Sequence, residues 1–217
     1  MSRPNAKVAR PLRRQIVLIG LFDALERSGV RPVESKQLHT LWYLTNALAP
    51  AWGLPPFDSA LLKTDQQPYF PSVQSDIDAL VGIGLLAVVD LTAVNDGRRL
   101  QGRFALNRDF ADRVLQVMET VKEDAELLNF LDDVVQAANR LTDLEQQIAL
   151  SQDATYGDPG IDAGNVIDLG QWLSRDATTP TEFILNRLKS VAGRDLRPAE
   201  LMELYVDHLG WRLRNGR

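Results

Sequence analysis

The sequence predicts a mainly α-helical fold with a small β component, and three observations support this class. Apolar residues recur at three- and four-residue spacing in most segments, which is the period of a buried helical face. Between Leu85 and Leu106 this period is lost, and Asn95-Asp96-Gly97 lies between two apolar runs, which is a strong hairpin signal. From Arg103 to Tyr156 there is neither glycine nor proline, so a long helical region is expected there.

The first two helices are indicated by apolar stripes that end at glycine or proline. Arg14–Glu26 has a wide apolar face and is followed by Ser28-Gly29, which ends it. Lys36–Leu48 follows Ser35, a natural N-cap, and stops at Ala49-Pro50. The next segment, Ala51–Pro71, is rich in proline and aromatic residues, so we expect an ordered connection.

A third helix is predicted to lead directly into the hairpin. Ser72–Ile83 carries a single apolar stripe, its Ser72 is a candidate N-cap, and glycines at its end favour an exit from the helix. The stripe consists of Val73, Ile77, Leu80 and Val81. Leu85–Val94 is then typical of a buried strand, and Arg98–Leu106 alternates as its partner. Three helices followed by a hairpin predict a winged helix-turn-helix core.

The rest of the chain is predicted to be helical, with an acidic helical arm directly after the hairpin. A near-heptad apolar seam indicates two or three helices there, with a break near Arg140 before the capping box Thr142-Asp143-Leu144-Glu145. Two further helices begin at Thr179-Pro180 and at Arg197-Pro198. The predicted organisation is a basic arm (1–13), a winged-helix domain (14–108), an acidic helical arm (109–150), and a connection with a C-terminal helical pair (151–217).

Composition and charge narrow the expected location and partners. The net charge is −5, but residues 1–40 carry eight basic against three acidic side chains, and residues 107–162 carry thirteen acidic against four basic. A basic front and an acidic middle are more typical of docking on partners than of coating nucleic acid. Cysteine is absent, which excludes disulfides and thiolate metal sites. With no signal peptide and no membrane-spanning run, we expect a cytoplasmic protein.

No catalytic or metal-binding pattern stands out in the sequence. His39 and His208 have no partner at metal-ligand spacing, so both are interpreted as structural or surface residues. The carboxylate pairs Asp76/Asp78 and Asp132-Asp133 are interpreted as parts of solvated helix faces. Phosphate-binding loops and nucleophile elbows are also missing. We therefore expect a protein that is not an enzyme and needs no cofactor or metal.

Contact with DNA is a candidate function because winged helices often bind it. The arginines of the hairpin region that could meet phosphates are Arg98, Arg99, Arg103 and Arg108. The third helix has no lysine or arginine, and phosphates repel the carboxylates that it carries. Its residues expected to face outward are Gln74, Ser75, Asp76 and Asp78. The sequence thus predicts weak contact with the DNA backbone rather than reading of bases.

Binding of a protein partner is the second candidate function. The helical arm and the chain end carry apolar and aromatic side chains that could anchor a partner or a second copy, since such residues dominate interfaces. These candidates are Leu128, Leu131, Val135 and Trp211. The alternative is that the stripe on the arm packs on the winged helix instead.

Over roughly Arg14–Arg108 the order of elements resembles the middle components of bacterial ABC-three-component conflict systems, of which Lamassu-type phage defence is one. The resemblance lies in RRQIVLIGLFDAL, in KQLHTLWYLTNAL with its exit WGLPPF, and in PYFPSVQSDIDALVGIGLLAV before a hairpin. It implies a non-enzymatic adaptor that joins an SMC-like ATPase to an effector. The same order is similar to the Panacea-type antitoxin domain, which implies neutralisation of a toxin. A winged-helix transcriptional regulator is the third alternative.

Overall fold

Eight α-helices and two antiparallel sheets of three strands form the computed structural model, which describes residues 11–94, 99–169 and 178–216. The helices are α1 (Pro11–Arg27), α2 (Ser35–Leu48), α3 (Pro71–Gly82), α4 (Arg108–Thr120), α5 (Lys122–Ala138), α6 (Asp143–Ala149), α7 (Pro180–Val191) and α8 (Pro198–Asn215). The strands are β1 (Val33–Glu34), β2 (Ala60–Lys63), β3 (Pro68–Tyr69), β4 (Leu86–Val94), β5 (Arg99–Leu106) and β6 (Val166–Asp168). The prediction of a mainly α-helical fold is confirmed.

The first sheet has the strand order β1-β5-β4 and contains the predicted hairpin. β4 and β5 pair antiparallel from Leu86 opposite Leu106 to Val94 opposite Arg99, with one irregularity near Val88 and Asp90. The predicted turn, Asn95-Asp96-Gly97, and the predicted first residue of the second strand, Arg98, lie outside the described residues. β1 adds two residues to the other side of β5, and a strand this short has no sequence period that could predict it.

The second sheet, β3-β2-β6, was not predicted. It includes part of the segment expected to be an ordered connection, and it joins that segment to a strand about 100 residues further along the chain. Leu61 of β2 lies opposite Ile167 of β6, and both side chains are buried. One predicted hairpin is therefore corrected to two sheets, because pairing between distant segments leaves no local signal.

Three of the four predicted stripe residues of α3 are buried, whereas Val81 is only partly buried, and the predicted N-cap is wrong. Val73, Ile77 and Leu80 are fully buried in the same apolar cluster as α1 and α2. Pro71 occupies the first position of the helix, where its missing N–H costs nothing. Ser72 therefore lies inside the first turn, and its hydroxyl donates to the Asp58 carboxylate instead of capping.

α5 lies in the centre of the helical packing rather than projecting as an arm. It contacts α1, α2, α4 and α8, and Phe130 and Leu131 are fully buried. A Cβ added at Gly20 of α1 would lie 2.7 Å from Leu131 Cδ1, so the bare glycine lets the two helices approach closely. The acidic helical region thus comprises α4, α5 and α6, and its apolar seam belongs to the core.

The starts of α6, α7 and α8 lie at the predicted signals. The Thr142 hydroxyl accepts from the Glu145 N–H at 3.3 Å, and the Glu145 carboxylate accepts from the Thr142 N–H at 3.0 Å. At α7, the Thr179 hydroxyl accepts from the Glu182 N–H at 3.0 Å. These contacts satisfy amides that have no partner within the first turn. None of the described helices is long and apolar enough to cross a membrane.

Candidate protein-binding surface

The arginines predicted to meet DNA differ in how the structure places them. Arg98 and the side chain of Arg99 lie outside the described part of the chain. Arg103 is half-buried on β5, where it lies opposite Glu34 of β1 and Asp90 of β4 in the strand register. Arg103 therefore has carboxylates on both neighbouring strands, which reduces the positive potential of this face of the sheet.

Arg108 binds carboxylates of the protein itself. Its guanidinium donates to Asp23 at 2.7 Å and to Glu26 at 2.8 Å, both on α1, and to Asp112 at 3.3 Å. Partial burial lowers the pKa of Arg108, but these hydrogen bonds outweigh it and raise the pKa above the ordinary value. A phosphate would have to displace these carboxylates, so the structure assigns Arg108 to holding α4 against α1.

The outward face of α3 carries no positive charge, and one of its predicted residues is wrongly placed. Asp76 is buried rather than exposed, because Arg14 of α1 forms an ion pair with it and Gln15 donates to it at 3.1 Å. Asp78 is exposed and accepts from the Gln74 amide at 3.0 Å. The face that would enter a DNA groove therefore presents a carboxylate, which phosphates repel.

The residues predicted to anchor a partner divide into buried and exposed positions. Leu131 and Val135 are 0% and 1% exposed, so neither can contact another molecule in this fold. Leu128 is partly buried against the same core, as the alternative of internal packing requires. Trp211 is 60% exposed, and its ring stacks on His208 with 6.4 Å between centroids.

Burial lowers the pKa of His208, and nearby Arg212 lowers it further.

A groove of about 480 Å³ lies between α3 and the hairpin. Val88 and Leu91 of β4 line it and are 43% and 57% exposed, although the sequence predicted a buried strand here. Phe104 of β5 contributes to its apolar lining, and Asp78 to its polar part. The remaining lining residues are Ser35, Tyr69, Gln74, Val81 and Gly102. The volume falls in the range of ligand and peptide sites.

Two glycines shape this groove. Gly84 has a φ of +79°, a left-handed conformation that turns the chain from α3 into β4. At Gly102 an added Cβ would lie 2.5 Å from the Phe104 ring, so the ring lies against bare backbone of β5. The Phe104 ring therefore occupies the position that a side chain at residue 102 would fill, and both residues line the groove.

A buried polar cluster around Asp153 is the other polar feature of the core. The Asp153 carboxylate is 1% exposed and accepts from the hydroxyls of Tyr43 and Tyr205, and from the Thr181 hydroxyl at 2.9 Å. It also accepts from the backbone N–H groups of Thr155 and Tyr156, at 2.8 Å and 2.7 Å. Burial raises the pKa of Tyr43 well above its usual range, and the Asp153 charge adds to this.

This cluster connects parts of the chain that are far apart in sequence. Tyr43 lies on α2, Thr181 on α7 and Tyr205 on α8. The adjoining cavity of about 20 Å³ has room for little more than one water molecule. Sequence reasoning missed the cluster because its members have no shared spacing, and we assign it a role in holding these helices together.

Within the described residues no group of three or more His or acidic side chains could hold a metal ion. His39 is buried, and its Nδ1 accepts from the Phe70 N–H at 3.3 Å, so it has a structural contact. No protein-family model matches the sequence, and a comparison with curated proteins finds no match. The groove between α3 and the hairpin is the candidate functional site, because exposed apolar side chains and an exposed carboxylate line it.

Proposed function

We propose that the chain is a non-enzymatic adaptor that binds protein partners through a winged-helix unit. The order α1, β1, α2, α3, β4 and β5, with β1 as the third strand beside the hairpin, supports the winged-helix assignment. The observation that carries the function is the groove beside α3. It presents exposed apolar side chains and a carboxylate where a DNA-binding protein needs cations.

The partners that the resemblance of Arg14–Arg108 implies are an SMC-like ATPase and an effector of a bacterial conflict system. An adaptor between two such proteins needs exposed contact surfaces and no catalytic groups of its own. The groove and the exposed Trp211 are separate surfaces of this kind on the described part of the chain. Desolvated aliphatic and aromatic side chains supply most of the binding energy at such interfaces.

Co-purification of the tagged chain from its native operon tests this proposal. We expect a stable complex with the product of a neighbouring gene, an ATPase or an effector. A complex with a single toxin whose activity the chain suppresses would instead assign the antitoxin function. A monodisperse protein that shifts one operator DNA at about nanomolar concentration would assign a transcriptional regulator and refute the adaptor.

A gel-shift titration of the isolated chain tests the predicted weak contact with the DNA backbone. Binding should be weak, equal on unrelated sequences and steeply dependent on salt, because counterion release then supplies nearly all its free energy. Arg98→Glu with Arg99→Glu should weaken it on every sequence alike. Gln74→Ala, on α3, is the control and should leave it unchanged.

A further inference from the structure

We propose that the groove between α3 and β4–β5 receives an extended segment of the protein partner, and that this segment is apolar with one basic residue. The inference rests on the proposed function, since it names the kind of segment that the adaptor would hold. It is carried by three features of the groove: a free strand edge, two exposed apolar side chains, and a single carboxylate.

The free strand edge belongs to β4. In the order β1-β5-β4 this strand is outermost, and no further strand of the described chain pairs with it. Every residue of the run 87–93 is exposed. The outer edge of β4 therefore offers backbone N–H and C=O groups to an added strand, which is how many domains bind extended peptides.

The positions of Val88 and Leu91 determine which residues of the bound segment should be apolar. In the register, Val88 lies opposite Phe104 and Leu91 opposite Gly102, and all four line the groove. A strand added beside β4 points alternate side chains to this same face. Apolar residues at those positions would cover Val88 and Leu91, which water now contacts.

The carboxylate determines the charge of the segment. Among the described lining residues of the groove only Asp78 carries a charge. The Gln74 amide donates to the Asp78 carboxylate at 3.0 Å, but because the amide is uncharged it does not neutralise the carboxylate. A lysine or arginine of the segment would be attracted to this carboxylate, whereas an acidic segment would be repelled. The same charge disfavours a nucleic-acid occupant.

Two labelled nine-residue peptides test the inference by fluorescence anisotropy with the full chain. Both alternate valine and threonine, and they differ only in a central lysine or glutamate. We expect the lysine peptide to bind about threefold to fivefold more tightly, as for an exposed ion pair. Asp78→Lys should reverse the order of the two peptides.

Two leucine variants test whether the groove is the site of binding. Leu91→Ser should weaken both peptides about tenfold, because it removes an apolar contact of the groove. Leu144→Ser changes an exposed leucine on α6 and is the matched control that should change neither affinity. Absence of saturable binding, or binding that Leu91→Ser leaves intact, overturns the inference.

Co-purification with the same variants separates this inference from the proposed function. Loss of the native partner from Leu91→Ser and Asp78→Lys, but not from Leu144→Ser, supports the groove as the docking site. A partner that stays bound to all three variants overturns the groove assignment while the adaptor function stands. A wild-type chain that purifies without any partner contradicts the adaptor function, whatever the peptides show.

Discussion

At the scale of single residues, the buried carboxylate of Asp153 is held by hydrogen bonds from several parts of the chain. It has no cation beside it in the described contacts, and its charge is held by hydroxyl and backbone donors alone. A hydrogen bond to a charged acceptor is stronger than a hydrogen bond to a neutral acceptor. Removal of the charge would leave the hydroxyls of Tyr43 and Tyr205 poorly matched in a buried site.

Asp153→Asn should therefore lower the free energy of unfolding by at least about 2 kcal/mol, measured by urea denaturation. Asp162→Asn makes the same substitution at an exposed position of the same connection, and should stay within about 0.5 kcal/mol of wild type. Equal stability of the two variants would show that the Asp153 cluster does not hold the helices together.

Two glutamates at helix N-termini predict how stability depends on pH. The Arg194 side chain and then the Arg197 N–H lower the pKa of Glu200 from 4.5 to about 2. The Thr142 N–H and hydroxyl lower the pKa of Glu145 as well. Because the folded state favours both carboxylates, each contribution is complete above the ordinary pKa of 4.5 and is lost as the pH falls. For Glu200 this loss extends down to about pH 2.

Glu200→Gln should accordingly flatten part of the fall in stability between about pH 4.5 and pH 2, since an amide does not titrate. The measurement is the urea midpoint at a series of pH values in this window. Arg194→Gln, which removes the largest cause of the shift, should flatten it in the same direction. A pH dependence identical to wild type in both variants would contradict the role of this contact.

At the scale of elements, α5 buries in the core Leu131 and Val135, which the sequence predicted to bind a partner. Leu131→Ala should lower the free energy of unfolding by about 2–5 kcal/mol, because it leaves a cavity between α5 and α1. Leu144→Ala on α6 removes the same atoms from an exposed position and should change stability little. Thermal or urea unfolding distinguishes the two, and a stable Leu131→Ala would contradict the central position of α5.

The sequence was sufficient for elements whose signals are local. The stripe Val73, Ile77 and Leu80, the glycines after it and the capping box at Thr142 all predicted what the structure contains. Apolar spacing predicts which face of a helix is buried but not what covers that face. The sequence of α5 was therefore equally consistent with packing in the core and with binding a partner. β1 and β3 have two residues each, too few for a period.

The candidate site was harder to predict than the fold. Val88 and Leu91 are in a run of apolar residues that is typical of a buried strand, yet both are exposed on β4, the outermost strand of its sheet. The sequence predicts an outward-facing Asp76, but the structure buries Asp76 in an ion pair with Arg14, 62 residues away. In both cases the deciding contact, or its absence, involves residues distant in the chain.

At the scale of the whole molecule, the apolar core is continuous across the predicted boundary at residue 108. Phe130 of α5 packs on Trp52 and Phe57, with ring centroids 6.1 Å and 5.9 Å apart. Leu131 fills the space at Gly20 of α1. Residues 14–108 therefore depend on α5 to cover their apolar side.

A fragment of residues 1–108 should consequently lack a cooperative thermal transition, because α1 and α2 would expose the surface that α5 covers. Circular dichroism and size-exclusion chromatography of the fragment, compared with the full chain, measure this. A fragment that stays monomeric and unfolds in one sharp transition would show instead that residues 14–108 fold independently.

The pairing of β2 with β6 also has a consequence for biosynthesis. About 100 residues separate the two strands, so at roughly 5–20 residues per second β2 leaves the ribosome some 5–20 s before β6 is made. During that interval the nascent chain carries the apolar residues of β2 without their final cover. Such delayed partners make a growing chain prone to aggregate, and chaperones that hold nascent chains should contact this protein until its last third emerges.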